Sequence, residues 1–422
     1  MHLGQPSRII AAFITLAILF CTRSHAKPPP QLITVGSPAV EAEFIASHTD
    51  GSYQFRIGEK IQKIEKHNFI RWSNPTIDLH KSLIVLTDGS RLVIAKSWTG
   101  QSSFQLDAES VTLSTKLLGK ISVPRQQVHA ILLHAPAESL RRTRLLDKLL
   151  SLSKDQDSLL LTNGEVLVGK LINTKAEQVA GKNRMALGFE MGGSTSYLVA
   201  DRVAGLVFKK TPTPSLPHIK LAVGLSDGSY LMSAALQTSQ QRYDITLSCG
   251  IQLAGANPQD IIHLQALTTP TYLSELQPLE YQHQPYLDIP WSYQTDRNLR
   301  RGRLRVAGQI YSKGIAMHSH SRLTYDIPTK ANAQAGNNFS RFVADISIDD
   351  VANGRGSVIF RFLLRTNSDW HTAFTSPVIR SGDPPLPVTV ELGNAKQIAL
   401  IADYADRGDE QDHANWLDAR FE

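Results

Sequence analysis

The sequence predicts an all-β protein, and three observations carry that expectation. Short apolar segments alternate with polar residues and are broken by turn dipeptides over most of the chain. Three segments, Ser82–Ile94, Ser158–Gly169 and Leu221–Leu231, place Asp-Gly or Asn-Gly between two apolar runs, the strongest short-range hairpin signal. Only Ala137–Ser151 repeats its apolar residues at helical spacing.

At the N-terminus, Arg8 precedes the twelve-residue run Ile9–Phe20, and Ser24-His25-Ala26 supplies small residues for cleavage. Residues 1–26 therefore read as a secretory signal peptide, because a run of this length falls short of the roughly 20 residues of a membrane-spanning helix. A lipoprotein reading through Cys21 is opposed by bulky Phe20 just before it. The mature protein is expected to be exported, to the periplasm, the cell surface or the outside, with no integral span.

The hairpin turns are Asp88-Gly89, Asn163-Gly164 and Asp227-Gly228, expected as type I′ turns because both residue types tolerate positive φ. Each hairpin is followed by a closing apolar run: Val128–Leu133, Val203–Phe208 and Ile261–Leu264. The pattern gives small β-barrel or meander units at 31–136, 153–210 and 218–268, the alternative being one continuous β domain with similar hairpins. Between the first two, residues 137–152 form a connector helix whose Leu140, Leu145, Leu146, Leu149 and Leu150 pack on the neighbouring β unit. The Pro-rich stretch Thr211–Pro217 reads as a stiff linker before the third.

With 422 residues, 42% hydrophobic and 19% charged, the chain has material for two to four domains with real cores. The net charge of +6, lowered by two when the leader carrying Arg8 and Arg23 is removed, is mild and spread without a Lys/Arg-rich block. Nucleic-acid binding is not expected. Loss of Cys21 leaves Cys249 alone in an apolar stretch, which excludes an internal disulfide and a cysteine-built zinc site.

The C-terminal third changes character. Tyr272–Pro278, Pro290–Asn298 and Gly314–Asp326, followed by Phe342–Asp350, Gly354–Phe362, Ser376–Asp383 and Asp406–Phe421, resemble in content and order the NPCBM family of carbohydrate-binding modules. The resemblance covers residues 270–422. It implies a galactose-binding-like jelly-roll β-sandwich, attachment to glycosidases, binding of galactose-type sugars and a structural calcium ion. The residues agree on the architecture: Arg341–Ile348, Gly356–Leu364, Pro387–Leu392 and Gln397–Asp403 are strand-like. One departure is Arg365–Thr372, where relatives carry an Asp-Gly type hairpin; here the segment holds a tryptophan at an expected exposed tip.

Sugar recognition needs an aromatic plate for C–H faces and hydrogen-bonding groups for hydroxyls. His318, His320, Trp370, His371, Asp412, His413 and Trp416 are of those types, although an aromatic beside a terminal strand, as Trp416 is, also suits the core. His318 and His320 would share a strand face, as a zinc pair requires, without an evident third ligand. For calcium, the acid-rich segment Asp403–Asp412 offers Asp406 and Asp409 as ligands.

The serines, histidines and acids of this cluster lack a Gly-x-Ser-x-Gly elbow, and no paired glycosidase carboxylates are evident between Lys27 and Thr269. The sequence thus points to an exported, non-catalytic protein binding a polysaccharide or glycoconjugate. The competing readings are a structural cell-envelope protein acting through protein partners, and a glycoside-hydrolase-associated protein with an unrecognised site.

Overall fold

The computed structural model describes residues 29–75, 81–95, 104–179, 181–211, 219–239, 241–286, 288–328, 339–367, 369–406 and 408–422. The expected leader, residues 1–26, and all but the first residue of the Pro-rich stretch lie outside them. Among the described residues the chain is built from β-strands with one α-helix, Ser139–Leu150, as expected.

Each of the three expected hairpins forms. Leu83–Leu86 pairs with Arg91–Val93, Asp157–Leu161 with Val166–Val179, and Leu221–Leu225 with Tyr230–Ser239. Their turns differ from expectation. Only the glycine takes positive φ, at +89° in Gly89, +91° in Gly164 and +94° in Gly228. The glycine N–H donates to the carbonyl three residues back, which is a type I turn followed by a left-handed bulge residue rather than a type I′ turn. The acid or amide before each glycine stays right-handed because its side-chain oxygen accepts from the backbone N–H two residues on, as Asp88 Oδ1 does from Ser90 at 2.8 Å.

The hairpin-bearing stretches are joined edge to edge. Val128–Leu132 pairs with both Leu83–Leu86 and Val203–Val207, Arg91 pairs with Tyr230, and Phe69–Trp72 pairs with Ile261–Ala266. One apolar core, holding Phe44, Phe55, Phe69, Phe104, Leu159, Leu206, Val223 and Tyr243 among others, runs through all of them. Cys249 is buried in it, where burial pushes its thiol up to about 12. The helix packs as a connector, its Leu146 and Leu149 against Leu83, Ala130, Leu132 and Leu160. Gly205 lets it approach: a Cβ there would meet Leu149 Cδ2 at 2.8 Å.

The C-terminal region is a two-sheet β-sandwich. One sheet centres on His413–Phe421 between Gly314–His318 and Arg341–Ile348. The other centres on Gln397–Tyr404 between Ser321–Asp326 and Ser357–Thr366. Period-two alternation sends Phe342, Ile346, Phe360, Phe362, Leu400 and Trp416 into the space between them. The sandwich docks on the N-terminal region through an ion pair, Arg71 Nη2 to Asp418 Oδ2 at 2.7 Å, with both side chains nearly excluded from solvent. Asn74 Nδ2 also donates to Gln309 Oε1, and Ser312 Oγ to Gln265 Oε1, across the same seam.

Candidate functional site

At one end of the sandwich, aromatic and imidazole rings converge. Trp291, in the irregular segment entering the fold, lies parallel to His318 at 4.9 Å between centroids, and His413 meets both rings edge-on at 5.7 and 6.0 Å. His283 approaches His318 at 6.0 Å. These positions follow from the strands: His318 ends Gly314–His318, His413 begins the final strand, and the two are register partners.

Hydrogen bonds hold the group. Tyr281 Oη donates to the Trp291 carbonyl at 2.7 Å and contacts Ser321 Oγ at 3.1 Å, and Ser321 Oγ lies 3.0 Å from His283 Nδ1. Asp412 Oδ1 accepts from the Ser357 N–H at 2.8 Å. Around the rim, His320 and Tyr404 have ring centroids 5.4 Å apart, and Tyr404 meets Tyr286 edge-on at 6.2 Å. Tyr286 is 63% exposed and Tyr404 41%. The rim is wet and aromatic; the floor is buried imidazole. His283 Nε2, His318 Nδ1 and His413 Nδ1 have no protein partner.

Of the residues expected from sequence, His318, His320, Asp412 and His413 come together here. His318 and His320 do not share a strand face. His320 takes φ +56° in the turn after His318, so its ring points to solvent, 3.4 Å from Asp403 Oδ1, while His318 is buried. Asp412 and His413 each bond elsewhere, His413 Nε2 to Gln411 Oε1 at 3.2 Å.

Trp416 is a correction. It is fully buried, with Phe360, Phe342 and Phe362 at 5.3, 6.0 and 6.5 Å, and belongs to the core. Trp370 and His371 lie apart from the site. Trp370 pairs with Arg365, which pairs with Gln397, at the opposite end of Gln397–Tyr404 from the Tyr404 rim, about 20 Å away along the strand. Trp370 is half-buried beneath Arg322, whose guanidinium carbon sits 4.4 Å from the ring centroid, and is not a bare tip.

Asp406 and Asp409 were the acids expected to ligate calcium. The Asp406 carboxylate is paired with Arg380 at 2.6 Å, and no group of three or more metal-ligating side chains occurs among the described residues. Ser321 and His283 form a pair, but Ser321 is buried and, among the described residues, no carboxylate bonds His283 Nε2. Sequence reasoning passed over His283, Tyr286, Trp291 and Tyr404. Trp291 was visible only as part of the Pro290–Asn298 motif.

Burial holds His318 and His413 down at about 4, His129 likewise at about 4 and His263 at about 3. An unfolded histidine titrates near 6.5, so below that pH the unfolded chain takes up protons that the folded one refuses. Stability from these four is complete above about pH 6.5 and is lost as the pH falls toward 4. Asp412, pushed up by burial to about 7, acts oppositely, adding stability as the pH falls from 7 toward the ordinary carboxylate range. Asp345 and Asp349, also raised by burial, act in the same sense as Asp412, while His283, lowered by burial, joins the histidines, which outnumber these acids. Urea unfolding is expected to show less stability at pH 5 than at pH 7; equal midpoints would contradict neutral, buried histidines.

Comparison with known proteins places the C-terminal region. A Renibacterium salmoninarum protein named "Putative endo-alpha-N-acetylgalactosaminidase" is 29% identical over 118 residues, 28% of this chain; the chain spans 7% of that relative's length. The structure of CBM51-2 in complex with GlcNAc and INT domains from Clostridium perfringens ZmpB aligns at 23% identity and TM-score 0.30, covering 48% of this chain and 40% of that one. CBM51 from Clostridium perfringens GH95 in complex with methyl-galactose aligns at 20% identity and TM-score 0.31, over 36% of this chain and all of that one. Residues 269–422, which form the sandwich and its entry, match the model of the NPCBM/NEW2 domain, the family that the C-terminal motifs resemble.

Proposed function

We propose that this is an exported, non-catalytic carbohydrate-binding protein that takes up a polysaccharide or glycoconjugate at the tryptophan–histidine end of its C-terminal sandwich, residues 270–422. The observation that carries this reading is the conjunction, at one end of the sandwich, of the exposed rings Tyr286 and Tyr404 with Trp291 and the solvent-facing imidazole of His320. Exposed aromatic faces suit the C–H face of a sugar ring, and a solvent-facing imidazole suits its hydroxyls. The match to NPCBM/NEW2 supports the same ligand class. The short apolar run behind Arg8 supports export to the periplasm, the cell surface or the outside.

The test is binding of the full chain to immobilised polysaccharides and a glycan array. Tyr286→Ala and Trp291→Ala are each expected to weaken binding by at least about tenfold, with Tyr286→Ala leaving the melting temperature unchanged. Failure of the full chain to bind any glycan, with an envelope protein captured instead, would replace this reading with the structural one.

A further inference from the structure

The charge that is evenly spread in the composition is concentrated in space. Residues 297–305, Arg-Asn-Leu-Arg-Arg-Gly-Arg-Leu-Arg, carry five arginines, contrary to the expectation of no basic block. Buried Asn298 shapes this segment: its Oδ1 accepts from Gly302 N at 2.8 Å and Arg300 N at 3.2 Å, its Nδ2 donates to the Arg303 carbonyl at 3.0 Å and to Asp349 Oδ1 at 3.1 Å. Arg301 sits at φ +62°, closing the turn. The loop is therefore held rigid from within while Arg300 and Arg301 project into solvent.

Two contacts fix where this loop lies. Arg297 is bound to Asp147 of the helix at 2.8 Å. Arg300 Nη2 donates to Gln411 Oε1 at 2.8 Å, and the same oxygen lies 3.2 Å from His413 Nε2. The arginine loop thus abuts the tryptophan–histidine site through one shared amide. Asp147 answers Arg297, but among the described residues no carboxylate lies within ion-pair distance of Arg300 or Arg301, and Asp296 is already engaged by Lys313. Burial, and then the charges of Arg303 and Arg297, hold Arg91 below the ordinary arginine range. Uncompensated guanidiniums on a rigid support favour arrival of an anion, and their planar fork matches a carboxylate or sulfate.

We propose that the glycan bound by this sandwich is acidic, with a carboxylate or sulfate group held by Arg300 and Arg301 next to the ring seated at Trp291. This rests on the carbohydrate-binding reading above and names the ligand class within it. Neutral sugars fill the ring site alone; an acidic saccharide engages both parts.

The experiment compares the full chain with its Arg300→Gln/Arg301→Gln variant by affinity electrophoresis. The polymers are polygalacturonate, fully methyl-esterified polygalacturonate, a sulfated galactan, a neutral galactan and, as a polyanion without sugar recognition, duplex DNA. The full chain is expected to retain polygalacturonate or the sulfated galactan at least about tenfold better than the uncharged polymers, with the difference shrinking as salt is raised. Response to only one of the two charged polymers would identify which anion is recognised. The double variant should lose that preference, keep its binding to uncharged polymer and melt at the same temperature, both side chains being exposed. Equal retention of charged and esterified polymer would overturn the proposal while leaving carbohydrate binding intact. DNA retained as well as the acidic glycans would overturn it as mere polyanion attraction, and retention of no glycan would overturn both readings.

Discussion

Trp416→Ala is expected to destabilise the protein by about 3–5 kcal/mol, the range for removing a large aromatic from a closed core. Among the described residues Trp416 is the largest fully buried side chain; it sits among Phe342, Phe360 and Phe362, from both sheets, so its loss opens a void that neither sheet can close without breaking register. Its indole Nε1 has no partner. Trp416→Phe, which removes that unsatisfied donor along with part of the ring, is therefore expected to cost clearly less, about 1–2 kcal/mol. Urea unfolding midpoints at constant slope would check both. Sugar affinity measured on the folded fraction should not change in either variant; a specific loss of affinity would return Trp416 to the binding surface.

Arg71→Met is expected to be comparably damaging, at about 3–5 kcal/mol, because it strands the carboxylate of Asp418 in a place that water hardly reaches. Asp345 lies near enough to Asp418 that burial first, and then that like charge, raise its pKa in the intact protein. Without the guanidinium, two acids on neighbouring strands of the sandwich repel, and the variant should be stabilised by acid where the parent is not. Adding Asp418→Asn, a residue that tolerates the local φ of +49°, should recover most of the loss. If the double variant is no more stable than Arg71→Met, the pair is not what makes the single change costly.

The hairpins were legible because their information is local: period-two alternation and a glycine three residues past the first strand. The turn type was misjudged for an equally local reason, since Asp88 and Asp227 satisfy a backbone N–H while right-handed and have no need of positive φ. Edge-to-edge joining of the hairpin stretches was left open, because nothing in Phe69–Trp72 marks Ile261–Ala266 as its neighbour. In the site, His318, His413 and Asp412 were legible through motif and residue type. Alternation failed at His320, where one left-handed residue turns the chain between two strands. Trp291 and Tyr286 lie in a stretch without periodicity, and only the closed sandwich brings them to the histidines.

The pairing of Phe69–Trp72 with Ile261–Ala266 also bears on how the chain is made. The early strand waits for a partner some 190 residues further along, and closure over that separation is slow. During synthesis, one edge of Phe69–Trp72 is taken by Gln31–Thr34, and the other remains unpaired until Ala266 has emerged. A newly made chain therefore passes through a long interval with an unpaired, aromatic strand edge, the species from which aggregation starts.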